Sequence, residues 1–405
     1  MIRKYLQGAA MLALFSFAAT SGADEFHYNN ILIGDRASGM GGAYTAVSDD
    51  PGGMYYNPAG IAYSTGKNLS ASVNAYSVSN RTYKGVFNGQ DWTRTSSTLL
   101  PNFFGIIQPV GKIKVGFSYA VPDSNQENQD QKFDSYSATV INFNNQNTTN
   151  LFGPSAAMQL SDSFSVGATL YVYNRSTEAI LNASSLDGTG KVNLWQNGYA
   201  QSDEWGLKPI VGVMWSPIDK LSLGLTVTKT VILSSDVLRQ STDFATLART
   251  YEKSNYKRSY PYQVTAGVAF FPDSSLLLSG DVSYYSAYDY TWVDGLNKRN
   301  AVVNGALGAE YYLSKSWAVR GGLFTDFANT PAVVEGGTNQ KEHIDMYGGS
   351  LTVSHFTKNT SISCGGSYKF GDGKSQVLVD KLGNGPIQDA SSNNWTLFVS
   401  SSYSY

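Results

Sequence analysis

Leu221 to Val231, LSLGLTVTKTV, places Leu221, Leu223, Leu225 and Val227 at every second position, with Ser222, Gly224, Thr226 and Thr228 between them. A period of two belongs to an extended strand, whose successive side chains point to opposite faces. One face is apolar and the other polar or small. Leu69 to Val78 has the same character, with Leu69, Ala71, Val73, Ala75 and Tyr76 interleaved with Ser70, Ser72, Asn74 and Ser77.

Working outward from these two segments, fourteen strands are expected, at 66–78, 95–110, 112–121, 146–160, 164–181, 205–216, 220–233, 259–271, 275–290, 301–313, 317–328, 346–357, 359–371 and 393–405. Most run to about ten residues or more, enough to cross a tilted bilayer span and longer than the usual globular strand. Short connections at Pro109–Lys112, Leu160–Ser163, Ser216–Lys220, Phe271–Ser274, Leu313–Ser316 and Thr357–Asn359 alternate with long ones around 79–94, 122–145, 182–204, 234–258, 291–300, 329–345 and 372–392. All long loops therefore fall on one side. An even number of strands with tight turns on one side and long loops on the other predicts an all-β fold, a 14-stranded antiparallel transmembrane β-barrel. Trp195, Trp205, Trp215, Trp292, Trp317 and Trp395 fall at or near strand ends, where interfacial aromatic girdles would lie.

Composition narrows the class. Only 15% of the 405 residues are charged and 27 are tyrosine, against about 25% charged in an ordinary soluble domain. A net charge of -2 offers no basic surface to neutralise a phosphate backbone, so nucleic acid is not an expected partner. The single cysteine, Cys364, excludes an internal disulfide and reads as a small residue within a strand. Residues 1–23 carry Arg3 and Lys4, then an apolar run, then Ser21, Gly22 and Ala23, the pattern of a secretory signal peptide with a mature chain starting at Asp24. No run of eighteen apolar residues follows it, so no transmembrane helix is expected.

The stretch Gly34 to Ile61, GDRASGMGGAYTAVSDDPGGMYYNPAGI, has glycine at 34, 39, 41, 42, 52, 53 and 60. It is too glycine-rich for regular structure, yet Met40, Tyr44, Val47, Met54, Tyr55 and Tyr56 need burial. It needs a container. The segment SDDPGGMYYNPAGIA resembles the N-terminal plug, or hatch, of the outer-membrane long-chain fatty acid and aromatic hydrocarbon transporter family (FadL/TodX-like). Leu100-Pro101-Asn102-Phe103-Phe104 leading to Pro109 and KVGFSYAVP, with GVMWSPIDKLSLGLT at 212–226, PYQVTAGVAFFPDSSLLLSGDVSYYS at 261–286 and YYLSKSWAVRGGLFTD at 311–326, extends the likeness over nearly the whole mature chain. The resemblance implies a hatch at 24–65 inside a barrel at 66–405. It also implies passive uptake of long-chain fatty acids or aromatic hydrocarbons, which leave sideways into the membrane at a kink in the third strand. No cofactor is implied. The implied setting is the Gram-negative outer membrane, in contact with its lipid and lipopolysaccharide, with the chain a monomer.

Candidate residues follow from that resemblance. Asn57, Pro58 and Ala59 are expected to sit against the third strand and prop a lateral gap, with Pro122 either kinking that strand or ending it. Phe26 resembles the family's apolar N-terminal residues that reach the ligand pocket. Phe244 and Leu247, with Val237, Ala248 and Tyr251, are spaced near three and four, so 234–258 is expected to hold a short amphipathic helix forming an outer ligand groove. The acidic pair Asp49–Asp50 reads as a calcium or general-base site or, in the family pattern, as polar support within the hatch. His343 lies close in sequence to Asp345, and no GxSxG accompanies it, so an enzyme is not expected. A second function class stays open: RASGMGGAYTAVSDDPGGMYYNPAGIA is also similar to hatch-bearing barrels of protein secretion, which bind partner proteins.

Overall fold

In the computed structural model, residues 25–87, 89–133, 139–186, 192–244, 247–379 and 383–404 are described. The expected signal peptide and the start at Asp24 lie outside them. The strands are β1 Asn68–Phe87, β2 Gln90–Val110, β3 Ile113–Phe133, β4 Thr139–Ser161, β5 Phe164–Leu186, β6 Val192–Ile218, β7 Leu221–Thr228, β8 Val231–Asp243, β9 Ala248–Ser254, β10 Gln263–Phe270, β11 Leu276–Tyr285, β12 Tyr288–Trp292, β13 Gly295–Arg299, β14 Val302–Ser314, β15 Trp317–Asp326, β16 His343–Phe356, β17 Thr360–Ser375 and β18 Gln388–Ser404.

Neighbours pair antiparallel around a closed ring, β1 with β18 at one seam and β5 with β6 completing the circuit. Because β8 continues β7 along β6, and β9 pairs with β8 above β10, the ring has fourteen staves. All six short connections fall where the residue pattern puts them. At the β2–β3 turn, Gly111 takes φ 61, the left-handed conformation that a tight hairpin requires and glycine supplies without steric cost.

In Leu221–Thr228 the small and polar Ser222, Gly224, Thr226 and Thr228 are buried, while Leu225 and Val227 are exposed. Leu307 (64% exposed) and Leu323 (65%) continue this apolar outer face. Such an inversion of the soluble pattern is stable only where lipid, not water, covers the outside. Trp205, Trp215, Trp317 and Trp395 are also exposed on the outer wall.

The wall is uneven in height. β1 to β6 run 20 to 27 residues, whereas β10, β11 and β15 run 8 to 10. Much of what reads as long loop at 79–94, 122–145 and 182–204 is strand. Segments such as Ile141–Thr149, INFNNQNTT, carry polar residues on both faces and so lack the amphipathic signal, but ladder pairing with both neighbours holds them extended. The helix expected within 234–258 is absent for the same reason: β8 and β9 form a hairpin, with β8 laddered along β6.

The segment from Glu25 to Ser64 folds into helices α1 (Asp35–Gly39) and α2 (Gly53–Tyr56) and a 3₁₀ turn (Pro58–Tyr63). Met40, Tyr44, Met54, Ala59 and Ile61 are fully buried. Its contacts go right round the ring. Met54 meets Gly105 on β2 and Gly116 on β3, and Pro58 meets Gly167 on β5. Thr45 lies on Gly224 of β7, and the Gly41 backbone lies on Gly322 of β15. A side chain at Gly322 would run into the Met40–Gly41 backbone, so this approach demands glycine.

Charge fixes the docking. Arg36 pairs with Glu310 at 2.5 Å and with Asp49 at 2.7 Å, while Arg320 reaches Glu310 at 2.7 Å. The Asp281 carboxylate accepts from the backbone N–H groups of Tyr44 and Thr45, both at 2.9 Å.

Candidate functional site

The ladder between β2 and β3 is interrupted. Val110 pairs with Ile113 and the rungs continue to Phe103 with Ala120, after which the next rung is Ser96 with Glu127. Ser97–Asn102 and Val121–Gln126 therefore face each other without rungs, a window roughly 20 Å tall at about 3.3 Å per residue. The register that pairs Val110 with Ile113 sets Pro101 opposite Pro122. Neither has an N–H to donate, so no ladder bond can form from either side there. On the β4 side the β3 ladder also jumps from Ala120 to Asp123, leaving Val121 and Pro122 unpaired on both edges. Pro122 thus does not end β3; it sits at a break in both ladders of a strand that continues to Phe133.

Three residues of the N-terminal segment occupy the inner side of this window. The Ile31 N–H donates to the Pro122 carbonyl at 3.1 Å, and the Asn102 amide donates to the Leu32 carbonyl at 3.0 Å. The Asn30 amide reaches Asp123 Oδ1 at 3.4 Å. The upper edge is closed by side chains: Arg94 of β2 donates to Glu127 Oε2 of β3 at 3.1 and 2.6 Å, and the Gln126 N–H donates to Ser96 Oγ at 3.0 Å.

Inside the window lies a cavity of about 80 Å³, reached by Phe26, Asn30 and Ile31 from the N-terminal segment and by Ser96, Asp123 and Glu127 from the strands. Preceding Phe26, the Glu25 carboxylate meets Arg258 and Arg299 at 3.2 Å each, and Arg175 at 3.9 Å. Burial pushes this carboxyl up, but the three guanidinium groups outweigh it and hold the group at about 2, so it is a carboxylate at any physiological pH. Tyr28 and Asn29 N–H groups donate to Asp326 Oδ1 at 3.0 Å each, and Lys369 pairs with Asp326 Oδ2 at 2.8 Å.

The residues singled out from sequence are dispersed. Phe26 lines the cavity, with the Arg299 guanidinium 5.3 Å from its ring centre. Asn57, Pro58 and Ala59 do not prop β3. Asn57 donates to the Val213 carbonyl of β6 at 3.1 Å and to Thr45 O at 2.8 Å, and Ser165 of β5 donates to Ala59 O at 2.9 Å. Asn57 caps the 3₁₀ turn by accepting from the Ala59 N–H, so the Asn-Pro-Ala motif anchors this segment to β5 and β6. Phe244 and Leu247 are exposed at the β8–β9 hairpin, where Phe244 stacks on Trp195 at 4.6 Å. Asp49 is taken by Arg36, and Asp50 accepts from the Gly52 N–H at 2.8 Å. Burial, with Asp49 alongside, pushes the Asp50 carboxyl up to about 6. His343 approaches Asp345 only at 4.0 Å. The parts missed from sequence are Asn30–Leu32, Asn102 and the Arg94–Glu127 pair. One signal was available: Pro101 and Pro122 stand equidistant from the Gly111–Lys112 turn.

The architecture is thus that of a membrane-spanning barrel with an inner N-terminal segment and a break in its wall. No family model matches the chain, and no curated protein does. Among solved structures, the chain is similar to a Pseudomonas aeruginosa FadL homologue, with TM-score 0.68, 14% identity, and 93% of this chain and 99% of that one covered. The CymD monoaromatic hydrocarbon channel (TM-score 0.61, 15% identity) and the Pseudomonas putida toluene transporter TodX (0.61, 13%) each cover 93% of this chain and are themselves covered at 99%. The fold is that of the FadL and TodX barrels.

Proposed function

We propose that this chain belongs with the FadL/TodX barrels in function as well as fold, as an outer-membrane channel for passive uptake of hydrophobic compounds that leave through the side of the barrel into the membrane. The β2–β3 window carries the reading. A compound that partitions into lipid gains nothing from a watery exit, and a gap in the wall at membrane depth lets it reach lipid directly. The N-terminal segment acts as the hatch, and Asn30–Leu32 is its seal on the window. Opening requires this tripeptide to leave Pro122 and Asn102 while Asn57–Ala59 stays anchored on β5 and β6. The similar solved structures, a toluene transporter and a monoaromatic hydrocarbon channel among them, support the same reading.

The test is to close the window. Pro101→Thr with Pro122→Thr restores two N–H donors on facing strands and favours ladder pairing. Uptake of labelled oleate and toluene, in cells lacking their own channel, is expected to fall to the level of cells without the barrel. Undiminished uptake by the folded double variant would overturn lateral exit.

A further inference from the structure

The cavity behind the window is polar, and its polarity is of a particular kind. Its ionised lining is already paired: Arg81 with Glu342 at 3.1 Å, Arg94 with Glu127 at 2.6 Å, Lys369 with Asp326 at 2.8 Å, and Lys341 with Asp294 at 2.6 Å. Asp123 is held by the amide of Asn147 at 2.9 Å as well as by Asn30. An incoming ion would find its counter-charge engaged, and freeing one would strand a buried partner.

The rest of the polar lining is uncharged and can both donate and accept. Ser79, Ser96, Thr98 and Ser392 bring hydroxyls, and Asn125 and Asn394 bring amides. Ser96, although it accepts from Gln126, keeps its own hydroxyl proton to give. A pure hydrocarbon in this space would displace water from these groups and give back no hydrogen bond. The apolar lining is confined to Phe26, Ile31, Tyr83 and Met346, and Ile31 lies against the window itself.

We infer that the cavity takes an amphiphile with an uncharged, hydrogen-bonding head and an apolar chain, the head resting among the serines and amides while the chain leads out through the β2–β3 window. The inference rests on the lateral-channel reading and specifies its cargo.

Three ten-carbon probes isolate the head group: 1-monodecanoylglycerol, decanoate and decane, each labelled and supplied to cells that lack their own channel and express the full chain. The gain in entry over cells without the barrel is expected to be about tenfold larger for monodecanoylglycerol than for decane, the ratio that one or two added hydrogen bonds yield, with decanoate also gaining less than the glyceride. Ser79→Val with Ser392→Val, which touches none of the ion pairs, is expected to erase that preference while decane uptake persists. Faster entry of decane or decanoate than of the glyceride would overturn the inference and leave the channel standing. A preference unchanged in the double valine variant would also overturn it, since the cavity would then not be reading the head. No uptake of any probe by a barrel shown to be folded would remove the channel reading and the inference together.

Discussion

Two stretches of the same barrel wall, β2–β3 and β10–β11–β14, differ in their ladders as well as in height. From Gln263 with Tyr285 to Phe270 with Leu278, and from Leu276 with Tyr311 to Tyr285 with Val302, every rung is present. Between β2 and β3 the rungs stop at Phe103 with Ala120, and beyond them, among the described residues, Ser96 pairs with Glu127 alone. Both stretches expose apolar side chains outward, so lipid does not account for the difference. What differs is the donor supply: facing prolines delete the backbone bonds, and residues distant in the chain take over the work of closure. A barrel wall can therefore carry a run of missing rungs if something polar inside satisfies the strand edges it leaves bare.

The largest effect expected from disturbing this contrast is at the window's upper edge. Glu127→Ala leaves Arg94, only 5% exposed, without its buried partner, at a cost of about 3–5 kcal/mol. Urea unfolding followed by heat-modifiable gel migration should show it, and the window should lengthen upward. An unchanged midpoint would mean that the pair does not hold the edge.

Next in size is the converse experiment, importing a proline into the intact wall. Ala266→Pro in β10, laddered to Leu225 and Val282, is expected to cost about 3 kcal/mol without creating a route for cargo, because Thr45 and Ala46 of the N-terminal segment are packed directly behind the strand at Gly267. Uptake comparable to that of the natural chain, measured in a variant with the β2–β3 window closed, would show that a proline alone makes a gate.

The smallest effect concerns the latch. Glu25 has its carboxyl at about 2 instead of 4.5, so its contribution to docking is complete above pH 4.5 and is lost as the pH falls toward 2. Glu25→Gln is expected to remove roughly 3 kcal/mol of docking at neutral pH and almost nothing near pH 2. Hydrogen exchange at residues 26–32 reads this directly, and a difference independent of pH would discard the latch.

How much was legible in advance depended on the range of the cause. Strand positions and turns came from period-two alternation and from turns such as Gly111–Lys112, and the fourteen staves fall where those signals put them. The upper reaches of β3 to β6 were invisible because Asn, Gln and Thr on both faces leave no amphipathic mark. Val237, Phe244 and Leu247 misled because apolar residues three or four apart also occur by chance in a hairpin. The Asn57–Ala59 motif was visible, but its partners on β5 and β6 lie more than a hundred positions away in sequence.

By itself the sequence determined a chain of alternating strands with an apolar face for lipid, short turns on one side, and a glycine-rich N-terminal segment requiring enclosure, since each of these is written in neighbouring residues. Only the tertiary structure decided that two prolines would face each other, that Asn30–Leu32 would seal the space they open, and that the cavity behind would be polar with its charges already paired. Those outcomes depend on contacts such as Asn102 with Leu32, Glu25 with Arg299 and Arg94 with Glu127, which exist only once the ring has closed and brought distant segments within a few ångströms.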